Sequence, residues 1–171
     1  MSRRRTLART GALGLALLAG IAACAGGDDD DGSAGDRLPD LTVPALLAGE
    51  PELDLAELDG PAVVNLWATW CVPCRRELPD FQTASEQHPD VRFVGIDIGE
   101  DVDDAQAFID ELGVTFDQFA DLDGELSGAL GVASLPVTIV IDGNGVIDTR
   151  HLGPMSIAEL DEAIAALPPG S

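Results

Sequence analysis

The chain has 171 residues, with 31 Asp or Glu against nine Arg, no Lys, no Tyr and a formal net charge of -22 at pH 7. A surface this acidic repels phosphate backbones and anionic headgroups, which excludes nucleic acid as a partner and removes any electrostatic pull toward a membrane. Three cysteines allow one redox pair but no disulfide framework, and the length suits one domain plus a leader.

Residues 1-23 read as a targeting segment. Arg3, Arg4, Arg5 and Arg9 make a basic start, and Gly11 to Ala23 is an apolar run shorter than the roughly 18–20 residues of a spanning helix. Ile21-Ala22-Ala23-Cys24 resembles a bacterial lipobox, which implies that Cys24 is acylated and becomes the mature N-terminus. Ser2-Arg3-Arg4-Arg5-Thr6-Leu7 also resembles a twin-arginine export signal, with Thr6 where Phe is usual. Residues 24-36 are small, acidic and low in complexity, so they read as a flexible tether. The Asp28–Asp31 run has no fixed cage for a cation and reads as a solvated spacer.

Residues 37-171 are expected to fold. Leu38 to Asp59, with Pro39, Pro44 and Pro51, predicts an irregular or hairpin-like lead-in. Ala62–Trp67 is almost continuously apolar and predicts a buried strand. Cys71 to about Gln87 predicts a helix, with Pro73 in its first turn and Pro79 as an internal kink. Val91–Ile98 predicts a strand, and Asp103–Leu112 an amphipathic helix stopped by Gly113. A short strand at Phe116–Ala120 and a short helix at Glu125–Leu130 follow. Val137–Ile141 and Val146–Arg150 predict two strands joined by the turn Asp142-Gly143-Asn144-Gly145. Ser156-Ile157-Ala158-Glu159 is a capping box for a last helix with Ile157, Leu160, Ile164 and Leu167 on one face. The early strand–helix–strand crossover calls for parallel pairing and the late hairpin for an antiparallel edge. A mixed central sheet flanked by helices on both faces satisfies both, an α/β fold.

Trp70-Cys71-Val72-Pro73-Cys74 carries the chemistry. Residues i and i+3 share a helix face, close enough for a disulfide. Cys71 stands at the helix start, where unpaired N–H groups and the helix dipole favour a thiolate, so it is the expected nucleophile and leaving group in thiol–disulfide exchange.

Leu38-Pro39-Asp40, the run from Asn65 to Pro79 (NLWATWCVPCRRELP), Gly131-Val132-Ala133-Ser134-Leu135-Pro136-Val137-Thr138, Asp142-Gly143-Asn144-Gly145 and Gly153-Pro154-Met155-Ser156 occur in that order. Together they resemble the thioredoxin superfamily, and more closely its TlpA/ResA-like membrane-tethered thiol-disulfide oxidoreductases, over roughly Leu38 to Leu167. The resemblance implies a thioredoxin-like fold. It implies Cys71 as the exposed nucleophile, Cys74 as the buried resolving thiol and Pro136 as a cis-proline that lets Leu135 pair with an extended partner chain. Asn65 stands where classical thioredoxins bury an Asp. Glu77, one turn after Cys74, would gain a raised carboxyl pKa from partial burial and accept the Cys74 proton. Trp70, Val72, Pro73 and Leu135 are the expected partner-binding surface, and Trp67 is expected to pack under the helix. His88 and His151 are expected at the surface.

These residues predict an exported, membrane-tethered thiol-disulfide oxidoreductase that reduces partner disulfides. Its implied partners are protein thiol/disulfide substrates such as apocytochrome c, a membrane thiol electron donor, and the membrane itself through the N-terminal lipid. No cofactor beyond the Cys71–Cys74 pair and no metal is expected. The same dithiol could instead insert disulfides, since its direction depends on potential. A copper carrier is the alternative from a different class, but related carriers use Cys-x-x-x-Cys with a distant His, one residue longer than the spacing here. A peroxidase would need a different cysteine context.

Overall fold

The computed structural model describes residues 36–58, 60–99 and 101–168. The targeting segment, Cys24 and the tether up to residue 35 lie outside the described residues.

The chain enters through two short antiparallel strands, β1 (Thr42–Val43) and β2 (Leu53–Asp54), followed by a 3-10 turn at Leu55–Glu57. The hairpin-like lead-in is therefore present. Five longer strands make the central sheet: β3 (Ala62–Trp67), β4 (Arg92–Asp97), β5 (Asp117–Ala120), β6 (Val137–Ile141) and β7 (Ile147–Leu152). Their spatial order is β5-β4-β3-β6-β7. β3, β4 and β5 pair in parallel, whereas β6 and β7 are antiparallel to their neighbours. The mixed sheet follows from the connections. α1 (Val72–Gln87) and α2 (Val102–Leu112) are crossovers, while β6 and β7 are joined by the Asp142–Gly145 turn. Observed ends differ from the sequence reading by one or two residues, as at β4, α2 and β7, because hydrogen bonding rather than apolar patterning sets where an element stops.

Strand alternation divides the core in two. Val63, Asn65 and Trp67 of β3 point to the face covered by α1, α2 and α4 (Ile157–Ala166). Ala62, Val64 and Leu66 point to the other face. That face is closed by α3 (Glu125–Ala129) through Leu126, and by Leu38, Val43, Leu53, Leu55 and Leu58 of the lead-in. Helices thus lie on both faces, three on one and one on the other, with the lead-in doing the work of a missing helix.

Local signals account for the helix ends. Asp101 caps α2 through the Asp103 N–H at 3.0 Å, and Gly113 ends it at φ 68°, a conformation open to glycine at little cost. The Ser156–Glu159 capping box opens α4. α1 continues through Pro79 to Gln87 as one helix.

Candidate active site

β3 ends at Trp67 and the chain turns through Ala68-Thr69-Trp70 into α1, so the two cysteines sit at the C-terminal edge of the central strand. Cys71 is the N-cap of α1, and its Sγ lies 3.2 Å from the Cys74 N–H. That N–H and the helix dipole stabilise charge on Sγ when the pair is reduced. In the structure Cys71 and Cys74 form a disulfide, with S–S 1.97 Å and Cα–Cα 5.2 Å. Pro73 lies in the first turn, where its missing N–H is no loss.

Accessibility corrects one expectation. Cys71 is not openly exposed: the residue is 3% accessible, against 0% for Cys74. The flanking residues carry the exposure instead, Trp70 and Val72 at 66% each. A partner that approaches Cys71 therefore meets these exposed neighbours. Leu135 is half-buried and packs against the cluster containing both cysteines. The Leu135–Pro136 bond is cis, and the Pro136 carbonyl accepts from the Gly153 N–H at 2.9 Å.

Under the dithiol, Trp67 is fully buried. It stacks on Phe108 at 5.3 Å between ring centroids and donates Nε1–H to Gln118 Oε1 at 3.0 Å. Arg75 lies over the outer face of Phe108, 4.5 Å from its centroid, and pairs with Glu111 at 2.9 Å. The stack ties the first turn of α1 to α2 and leaves Trp70 free of a packing role.

Glu77 does not lie on the surface beside Arg75 and Arg76. It is 3% exposed on the sheet-facing side of α1, one turn after Cys74, at the distance where helix neighbours meet. Asn65 Nδ2 donates to its Oε1 at 2.9 Å, and the Met155 N–H donates to its Oε2 at 3.1 Å. Asn65 Nδ2 also donates to Thr138 Oγ1 at 3.1 Å. Burial pushes the Glu77 carboxyl above its ordinary value near 4.5. The Asn65 and Met155 hydrogen bonds and the nearby His151 oppose that rise, while Asp80 adds to it. Glu77 also lines a cavity of about 320 Å³ with Arg76, Asp80, Met155 and Glu159.

The histidines are less peripheral than their spacing suggested. Both are half-buried: His88 Nε2 lies 2.9 Å from Asp161, and His151 is close enough to bias Glu77. The sequence reading noted Asn65 only for the acid it lacks, and it missed Thr138 and Met155. The available signal was a lone polar residue in each of two apolar strands, Asn65 in AVVNLW and Thr138 in VTIVI. Such residues must find partners when buried.

The AhpC/TSA family model matches residues 34–150. Among curated proteins, the chain is 34% identical to the thiol:disulfide interchange protein HelX of Rhodobacter capsulatus over 125 residues, 72% of this chain and 70% of HelX. It is 36% identical to the thiol:disulfide interchange protein DsbE of Escherichia coli over 117 residues, 68% of this chain and 62% of the length of DsbE. Among solved structures, a secreted Mycobacterium tuberculosis disulfide oxidoreductase homologous to E. coli DsbE superposes with a TM-score of 0.68 at 30% identity. That match covers 75% of this chain and 96% of the other. The chain belongs to the AhpC/TSA family, as a thioredoxin-like thiol-disulfide oxidoreductase of DsbE and ResA type.

Proposed function

We propose that the protein is an exported, lipid-tethered oxidoreductase that reduces disulfides in partner proteins, apocytochrome c among them, with electrons from a membrane thiol donor. The observation that carries the exchange chemistry is the Cys71–Cys74 pair at the start of α1 with a buried carboxyl, Glu77, one turn behind it, and the reducing direction rests on the likeness to relatives of DsbE and ResA type. Names of relatives as thiol:disulfide interchange proteins support the exchange chemistry, and a secreted relative supports export.

In the reduced protein, the Cys71 thiolate attacks one sulfur of a partner disulfide. A mixed disulfide forms and the partner's other sulfur leaves as a thiolate. Cys74 then gives its proton to Glu77, and the resulting thiolate attacks Cys71 Sγ. The Cys71–Cys74 disulfide forms as the second partner sulfur departs. Two electrons have passed to the partner, whose thiolates take up protons, and a donor dithiol returns the pair to its reduced state. Trp70, Val72, Pro73 and Leu135 frame the approach, and cis-Pro136 presents the Leu135 backbone to an extended client.

Trapping tests the order of attack. Cys74→Ser should accumulate mixed disulfides with client peptides, and Cys71→Ser should abolish exchange. Accumulation in Cys71→Ser instead would reverse the two roles. The tether is tested separately: acyl labelling should be lost in Cys24→Ala, and unchanged labelling would refute lipidation at Cys24.

A further inference from the structure

Among the described residues, every hydrogen bond to Glu77 comes from a donor. Oε1 receives Asn65 Nδ2–H and Oε2 receives the Met155 N–H, an arrangement that suits the carboxylate. A protonated Glu77 needs an acceptor. The Met155 N–H cannot supply one, because a backbone amide nitrogen only donates. Asn65 can. Its side chain is fully buried, and its Oδ1 has no hydrogen-bond partner among the described residues. A half-turn of the amide would bring Oδ1 to where Nδ2 now stands, facing Glu77 and Thr138. Thr138 Oγ1, which now accepts, can then donate, since a hydroxyl does either. In both orientations one end of the amide is unpaired, so the two are balanced closely enough for one proton to decide between them.

We infer that Asn65 is the positioning residue for Glu77, holding the carboxylate through Nδ2 and turning its amide to accept from the protonated acid through Oδ1. The inference rests on Glu77 being the group that takes the Cys74 proton. Asn65 stands on the central strand, where it cannot itself carry a proton, but its amide lets one carboxyl be satisfied in both protonation states. The turn asks for no extra room, because it exchanges Oδ1 and Nδ2 within nearly the same volume, while the space over Gly95, its partner across the β3–β4 ladder, stays filled by the Gln118 side chain. The other charged groups around Glu77 are Arg76 and Asp80 on α1, His151 on β7 and Glu159 on α4. None of them is hydrogen-bonded to the carboxyl, so each acts as a background field while Asn65 acts through contact.

The test follows the Asn65 side-chain amide by ¹⁵N NMR in the oxidised full chain, alongside the Glu77 carboxyl carbon, across the acid range. Both should titrate with one midpoint. The Nδ2 protons should show cross-relaxation to Thr138 above that midpoint and lose it below. In Asn65→Leu, loss of the donor should move the Glu77 midpoint up by about one pH unit or more. The inflection in the pH profile of mixed-disulfide resolution should move with it. An amide that does not titrate, or a Thr138 contact that persists at low pH, overturns the inference whatever the variant does. An unchanged resolution profile in Glu77→Gln would show that Glu77 is not the acceptor, and the inference falls with that reading.

Discussion

A buried carboxyl is costly unless it is hydrogen-bonded or neutral, and Glu77 is supplied for both. Its raised pKa has a consequence for stability. The folded state holds a proton on Glu77 to higher pH than the unfolded chain does, so folding is favoured at low pH. That contribution is lost as pH rises through the folded-state value. Glu77→Gln should therefore flatten the fall in stability between about pH 4 and the neutral range. Parallel pH dependences of wild type and variant in denaturant titrations would show that Glu77 ionises as readily in the fold as out of it. The two cysteines, Pro136 and Glu77 were legible because each is named by a local spacing or by its place in an ordered motif. The groups that hold Glu77 were not. Asn65 is 12 residues away and Met155 is 78, and only the sheet and the start of α4 bring them together.

At the scale of elements, the polar row across the sheet is the feature that pattern reading misses. Thr138, Asn65, Gly95 and Gln118 are consecutive partners on β6, β3, β4 and β5. Gly95 is small for a physical reason: a Cβ there would lie 2.2 Å from Gln118 Oε1, the atom that accepts from Trp67 Nε1. Gly95→Ala should push Gln118 aside, unpair the Trp67 indole and destabilise the fold by about 1–3 kcal/mol. Equilibrium unfolding with tryptophan emission measures both effects, and a variant with wild-type stability and emission would mean that Gln118 moves without cost. The strands and helices themselves were readable to within a residue or two. The 3.6- and two-residue periodicities are local, and Gly113 and the Ser156 capping box mark helix ends, whereas the Asp101 cap that opens α2 was not read.

For the whole molecule, topology sends every site residue to one edge of the sheet. β3 runs toward the dithiol and β6 runs away from it, so the C-terminal end of β3, cis-Pro136 and the start of α1 converge. The turn at Asp142–Gly145 marks the opposite edge. There the lead-in joins the sheet, with the Ile147 N–H donating to the Asp36 carbonyl at 2.7 Å. The mixed sheet was legible in the order of crossovers and hairpin. The use of residues 38–58 to close one face was not, because no periodicity says what an irregular apolar segment will cover. Nor does the fold set the direction of electron flow, since both a reductase and a disulfide-inserting oxidase use a pair at this place.

The redox midpoint of Cys71–Cys74, measured by equilibration of the purified protein with thiol–disulfide buffers, tests the proposed reduction most directly. A reductase fed by a dedicated donor should lie near or below about -270 mV. A midpoint near about -120 mV would mark a pair that gives up its disulfide readily, and would contradict the reductive reading in favour of disulfide insertion.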